Sequence, residues 1–146
     1  MSIKSVFAIP FARQVKKRVY KWAYQPHKTQ EKVFKKLISK AKNTAFGKDH
    51  HFDQIKTYRD FKERVSVNDY EGLRPYVDRI VAGEENVLWK GKPIYFAKTS
   101  GTTSGAKYIP ITKDSMPTHI KAARNALLFY IAETKDASFV NGKMIF

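Results

Sequence analysis

Cysteine is absent from the 146 residues, which excludes disulfides, thiolate metal sites and thiol nucleophiles together and fits a reducing, cytoplasmic setting. Acidic residues are scarce, 13 against 28 Lys and Arg, a net charge of +15. Long apolar runs are missing too. None approaches the ~18 residues of a membrane span, so no transmembrane segment is expected. The start does not read as a signal peptide, because only Val6 to Ile9 is continuously apolar before Arg13, Lys16, Lys17 and Arg18 follow. No internal repeat or low-complexity segment is visible. What is present is 42% hydrophobic and 14% aromatic residues, which excludes a disordered tail and permits a core; a chain of this size buries roughly 68 to 70% of its unfolded surface.

The charge is uneven. Residues 1–64 hold 17 basic and 5 acidic side chains, whereas residues 65–146 hold 11 and 8. A basic half supports a nucleic-acid or anionic-surface binding module. The lysines fall at exposed helical positions, however, and no RNP, KH, zinc-finger or helix-turn-helix pattern accompanies them. A solvated face without specific nucleic-acid recognition is therefore expected.

Apolar periodicity places a basic amphipathic helix over residues 3–22, with Ile3, Phe7, Phe11, Val15, Val19 and Trp22 on one face and Pro10 dividing or kinking it. Such a helix either packs its stripe on the body or lies on an anionic membrane. A second helix is predicted from Thr29, as its cap, to Lys42, facing inward with Val33, Phe34, Leu37, Ile38 and Ala41 and ended by Asn43 and Gly47. Thr57 and Asp60 have capping-box spacing, and Asn68 with Glu71 repeats it. Pro75 is expected to restart the helix in its first turn and Gly83 to end it.

After Gly83 the period changes. Ile94 to Ala97 and Tyr108 to Ile111 read as strands around a polar loop. A helix then starts from a cap between Thr112 and Ser115, with Pro117 in its first turn and Ile120, Ala123, Leu127 and Ile131 on one face. Lys143-Met144-Ile145-Phe146, whose last three residues are apolar, begins like a buried strand with no partner following, the expected appearance of the front piece of a larger α/β fold and a source of self-association.

The loop is the chemically informative stretch: Thr99-Ser100-Gly101-Thr102-Thr103-Ser104-Gly105-Ala106-Lys107. Glycine lets backbone N–H groups turn toward and approach a ligand, the hydroxyls add donors and Lys107 adds a charge, a combination suited to phosphate oxygens. The same composition also makes an ordinary solvated turn. Two phosphate motifs fail letter by letter. A Walker A loop would need glycine at Ala106 and Ser or Thr at Tyr108. Gly101 and Gly105 also lack G-x-G-x-x-G spacing, and a strand rather than a helix follows.

At these residues the chain resembles the phosphate-binding motif of the adenylate-forming enzymes, the superfamily of acyl-CoA synthetases, luciferases and peptide adenylation domains. Ser104-Gly105 resembles the GH3 family of acyl acid amido synthetases within it. Asn43-Thr44-Ala45-Phe46-Gly47, Phe61 through Val67, Tyr70-Glu71 and Arg74 through Ile80 followed by Gly83 resemble the N-terminal segment of that family in order and spacing.

The resemblance implies an α/β fold. A mainly helical part, residues 1–83, is followed in residues 84–146 by the first strands and helix of a luciferase-like adenylation domain, which is incomplete here. It implies a ligase that uses ATP and Mg2+ to activate a carboxylic acid as its acyl adenylate and then joins it to an amine or amino acid; an acyl-CoA-synthetase-like enzyme is the neighbouring alternative. It assigns Thr99, Ser100, Gly101, Thr102, Thr103, Ser104 and Gly105 to the phosphate cradle, with Lys107 beside them, and the helix from about Ser115 to Glu133 to the border of the acyl pocket. The later adenine, ribose and magnesium motifs do not occur within these residues, so the chain alone is expected to be inactive. A truncated relative with only an interaction role is the remaining alternative.

Asp49-His50-His51 invites comparison with DHH phosphoesterases, but no further ligands cluster with it in sequence, and no metal site is assigned. His27 and His119 are isolated from any nucleophile.

Overall fold

A computed structural model describes residues 3–99 and 105–142. Among them are six α-helices, α1 (Ile3–Ala23), α2 (Pro26–Ala41), α3 (Ala45–Asp49), α4 (Tyr58–Arg64), α5 (Tyr70–Val81) and α6 (Met116–Thr134), and one antiparallel pair, β1 (Tyr95–Lys98) and β2 (Tyr108–Ile111). The described part is thus mainly helical. The expected strand at 143–146 lies outside the described residues.

The chain divides into two compact units, residues 1–29 with 117–146 and residues 30–116. In the first, α1 and α6 bury Ala12, Val15, Leu128, Ile131 and Ala137 together, with Ala8, Ile9 and Val19 packed at the edge. The expected inward stripe of α1 is therefore corrected: Val15 and Val19 face the core, but Phe7, Phe11 and Trp22 are exposed. A stripe through Ala8, Ala12 and Val15 faces Leu128, Ile131 and Ala137, and the aromatics are displaced to its flank. Pro10 sits inside one unbroken helix rather than dividing it. In α6, likewise, Leu128 and Ile131 are buried while Ile120 and Leu127 are exposed.

The second unit is built on Ile38, Ala41, Phe52 and Ile55, against which Phe34, Phe46, Phe61, Val65 and Trp89 pack. Its rings meet largely edge to face, as in Phe46 on Phe52 at 5.8 Å and Phe34 on Phe61 at 5.9 Å. Val33 and Leu37, expected inside, are exposed.

Several helix ends also differ from expectation. α2 starts at Pro26, a residue suited to a first helical position, where its missing N–H costs nothing; Thr29 is already inside the helix, its hydroxyl donating to the Trp22 carbonyl at 3.1 Å. Gly47 does not end α2 but lies within α3. α5 is capped by Asp69, not Asn68, through its carboxylate and the Gly72 N–H at 3.0 Å. Pro75 lies inside that helix rather than restarting it. Gly83 follows its end with φ +95°, as expected of a residue that must leave the helix left-handed. Ser115 and Thr112 cap one another ahead of α6, each backbone N–H donating to the other's hydroxyl at 3.0 and 3.1 Å.

The Thr57–Asp60 capping box is complete. The Asp60 N–H donates to the Thr57 hydroxyl, and the Asp60 carboxylate accepts from the N–H groups of Lys56 and Thr57, both at 2.9 Å. Those two backbone donors hold the Asp60 carboxyl below its ordinary value. Because the folded-state value is depressed, this stabilisation is present above the unfolded value of about 4 and is lost as pH falls through the folded one. Thr57→Ala is expected to cost about 1 kcal/mol, read from urea denaturation at neutral pH. Carbon-detected titration of Asp60 should give a value below that of an unstructured peptide; an equal value would refute the capping geometry.

Candidate phosphate loop

β1 and β2 pair Tyr95 with Ile111 and Lys98 with Tyr108. Beyond the last pair the Thr99 N–H donates to the Lys107 carbonyl at 3.0 Å, so the ladder continues to the base of the loop. Thr99 and Lys107 thus form a closed stem, half-buried on both sides. Of the residues assigned to the loop, Thr99, Gly105 and Lys107 are described; Ser100, Gly101, Thr102, Thr103 and Ser104 lie outside the described residues. Gly105 is exposed with φ +80°, where a side chain is strained, and a Cβ built on it meets nothing within 4 Å. The descending arm therefore has open space beside it.

The stem rests on the first turn of α5. Tyr70 accepts the Tyr108 N–H on its phenol oxygen at 2.9 Å. Its ring lies 5.3 Å from the Lys107 ammonium and 5.5 Å from the Arg74 guanidinium, both within cation–π range. Arg74 is held in turn by Glu71, with Nε and Nη2 donating at 2.7 and 2.8 Å. That bidentate bond, reinforced by the charges of Arg74 and Lys107, keeps the Glu71 carboxyl below its ordinary range and the guanidinium above its own. In the sequence Tyr70, Glu71 and Arg74 belong only to the family resemblance, and nothing local places them at the loop. The available signal was Glu71 and Arg74 at i and i+3 directly after an aromatic, a pattern equally expected of a solvated helix.

A broad hollow in the second unit lies elsewhere. It encloses about 650 Å³ between Lys40, Asn43, Lys48, Asp49, Arg79 and neighbouring residues and includes nothing from the loop. Most of its charged groups have partners: Arg79 donates to Glu84 at 2.8 and 2.5 Å, and residues outside the lining engage two more, Tyr76 donating to Asp49 at 2.8 Å and Lys40 to Asp114 at 2.6 Å. Depth alone does not make it the chemical site, because groups already paired have little left to offer a ligand.

The Asp49-His50-His51 triplet is spent on structure. Asp49 accepts from Tyr76, and the His50 ring lies 4.2 Å from Phe46 with Nδ1 at 3.1 Å from the Arg64 carbonyl oxygen. His51 takes a left-handed turn at φ 52°.

With this geometry in place, comparison with known proteins is informative. The family model described as the GH3 family N-terminal domain matches residues 15–145. The chain is 28% identical over 134 residues to the indole-3-acetic acid-amido synthetase GH3.15 of Arabidopsis thaliana, covering 80% of this chain and 22% of that protein. It is 25% identical over 120 residues to the jasmonoyl-L-amino acid synthetase JAR4 of Nicotiana attenuata, covering 81% and 20%. A shorter stretch of 58 residues is 43% identical to the probable indole-3-acetic acid-amido synthetase GH3.13 of Oryza sativa subsp. japonica, covering 38% and 12%. The chain spans about a fifth of the length of the curated relatives that it matches over most of its own length.

Proposed function

The chain belongs to the GH3 family, and from that premise we propose that it carries the phosphate-binding loop of an ATP-dependent acyl acid amido synthetase. Relatives named as an indole-3-acetic acid-amido synthetase and a jasmonoyl-L-amino acid synthetase support this reaction class. A carboxylate oxygen attacks the α-phosphorus of ATP and pyrophosphate leaves; an amine nitrogen then attacks the acyl carbon and AMP leaves. We place this chemistry in the cytoplasm; among the described residues no helix is long and apolar enough to cross a membrane.

The observation that carries this reading is the closed and braced stem. The Thr99–Lys107 bond and the Tyr108–Tyr70 bond fix the two arms from which the loop springs, so Thr99 and Lys107 have little left to order when a ligand binds. In this reading Thr99 and Gly105 with the five residues 100–104 supply N–H and hydroxyl donors to the phosphates. Lys107, seated on Tyr70, adds charge at the base. Among the described residues no group of three or more His, Asp or Glu side chains is placed to hold a metal ion; in this reading the Mg2+ that accompanies ATP is held mainly by the phosphates and by residues of the full-length enzyme beyond these. The helical part to residue 83 and the hairpin, loop and α6 beyond it are read as the front of the large α/β adenylation domain, with α6 bordering the acyl pocket.

Titration of the 146-residue chain with ATP, followed by amide NMR, tests this directly. Binding is expected to be weak, because loop contacts alone must meet an association cost on the order of 4 to 15 kcal/mol without a pocket for the base. The shifts should concentrate on residues 99–107 and Tyr70, and inorganic pyrophosphate should reproduce most of them. Tyr70→Phe, which removes the acceptor of the Tyr108 N–H, should raise amide exchange at Tyr108 and weaken ATP binding severalfold. Shifts confined to the hollow around Lys40 and Lys90 would reject the assignment.

A further inference from the structure

The function proposed above makes no use of the outer side of α1. Through Ala8, Ala12, Val15 and Val19 this helix meets α6. At 100° per residue, Trp22, Phe11, Arg18, Phe7, Lys21 and Lys17 follow one another within roughly 140° of the circumference, the aromatics on the flank beside that core stripe and Lys21 and Lys17 on the side away from it. The three aromatics are 54, 45 and 69% exposed, far more than isolated large rings need to be in a helix that already has a core face. A shallow hollow of about 630 Å³ lies between Phe7, Pro10, Phe11 and Gln14.

The charge on the same surface narrows what fits there. α1 contains no acidic residue, and among the described residues only Lys16 of its cations forms an ion pair, with Glu133. Arg18, Lys21 and Lys17 are exposed and have no such partner. Phe7 and Phe11 also precede residue 15, where the match to the GH3 domain begins, so the patch extends outside the part shared with the family.

We propose that the outer face of α1 docks on an anionic lipid surface, the aromatics entering the headgroup–acyl boundary and the cations meeting lipid phosphates and carboxylates. A lipid interface takes both halves of this face at once, because the rings leave water while the charged heads stay at its edge. A nucleic-acid duplex would take the charge and leave three large aromatics in water. The helix is not apolar enough to span a bilayer, which agrees with a helix lying on the surface.

Cosedimentation of the 146-residue chain with phosphatidylcholine vesicles, with and without phosphatidylserine, tests the proposal. Binding is expected to the phosphatidylserine vesicles only and to fall on raising salt. The double variant Phe7→Ala, Phe11→Ala changes exposed side chains, so it should keep its helical circular dichroism yet lose more than about tenfold in partitioning. Arg18→Gln and Lys21→Gln should each cost about fivefold, and only on the anionic vesicles. With Trp89→Phe leaving Trp22 as the single tryptophan, its emission should shift to the blue on binding and be quenched by brominated lipid. Absence of binding, equal binding to neutral vesicles, unchanged binding by the double Phe variant, or preferential capture of single-stranded RNA in competition with vesicles would each overturn it.

Discussion

Gly47→Val should abolish cooperative folding of the unit formed by residues 30–116. A Cβ on Gly47 would stand 2.1 Å from the Ala41 carbonyl oxygen, 2.9 Å from its carbon and 3.1 Å from the Lys42 carbonyl carbon, all of them backbone atoms. That oxygen is not free to move. It accepts the Thr44 N–H at 2.9 Å and the Thr44 hydroxyl at 2.7 Å, and the same hydroxyl oxygen accepts the Gly47 N–H at 3.0 Å. Thr44, only 1% exposed, thereby closes α2 and opens α3 with one side chain.

Displacing this turn would also pull on the segment that it holds. The Ala45 and Phe46 N–H groups donate to the Asn86 and Val87 carbonyls at 2.8 and 3.0 Å, and Val87 is among the most deeply buried residues. The expected loss exceeds about 4 kcal/mol, enough to consume much of the stability of a small domain. Gly72→Ala is the matched control. Its Cβ would stand 2.6 Å from Asn68 Oδ1 and 3.2 Å from the Cβ and Cγ of the same side chain; the amide can rotate away and the remaining contact needs a shift of a few tenths of an ångström, set against the ~1 kcal/mol by which alanine favours a helix. Urea denaturation followed by circular dichroism distinguishes the two. A Gly47→Val protein with an unchanged midpoint would refute the close approach.

The second large effect concerns chemistry. The 146-residue chain by itself should yield no acyl hydroxamate from any carboxylic acid tested with ATP and hydroxylamine. Joined to the remainder of the Arabidopsis GH3.15 polypeptide, the same segment should support it. In that joined protein Gly101→Val should lower ATP–pyrophosphate exchange on the order of a hundredfold or more, because a branched side chain blocks the approach of backbone N–H groups to phosphate. Folding should be little affected. Exchange at the unaltered rate in a folded Gly101→Val protein would remove the loop from the nucleotide site, and turnover by the isolated chain would place the active site elsewhere. Amide formation with an amine, without thioester formation when coenzyme A replaces it, separates an amido synthetase from an acyl-CoA synthetase.

The features legible in the sequence are those whose causes are local. Thr57 and Asp60 make their capping box three residues apart. Gly83 ends α5 through its own freedom at positive φ, and the hairpin is announced by two short β-prone runs around a polar loop. Family membership was legible for a related reason: a series of short segments from Asn43 to Lys107 stands in order along the chain, and order survives divergence to 28% identity.

Tertiary structure decided which of several adequate faces each helix buries. Apolar side chains cover more than half of α1's circumference, so periodicity alone admitted Phe7, Phe11 and Trp22 as the core stripe. Packing against Leu128, Ile131, Ala137 and Val140 selected Ala8 and Ala12 instead. The same holds at Gly47, which reads as a helix terminator until the Ala41 carbonyl lies against it, and at Tyr70, whose place under the loop depends on a partner 38 residues away. Spacing therefore determined the longer elements, the Thr57–Asp60 capping box, the exit at Gly83 and the motif in this protein. The caps at Pro26 and Asp69 and the role of Gly47 depended on how the chain turns between neighbouring helices, and the buried faces and the brace at Tyr70 on contacts between residues far apart in sequence, which no local pattern encodes.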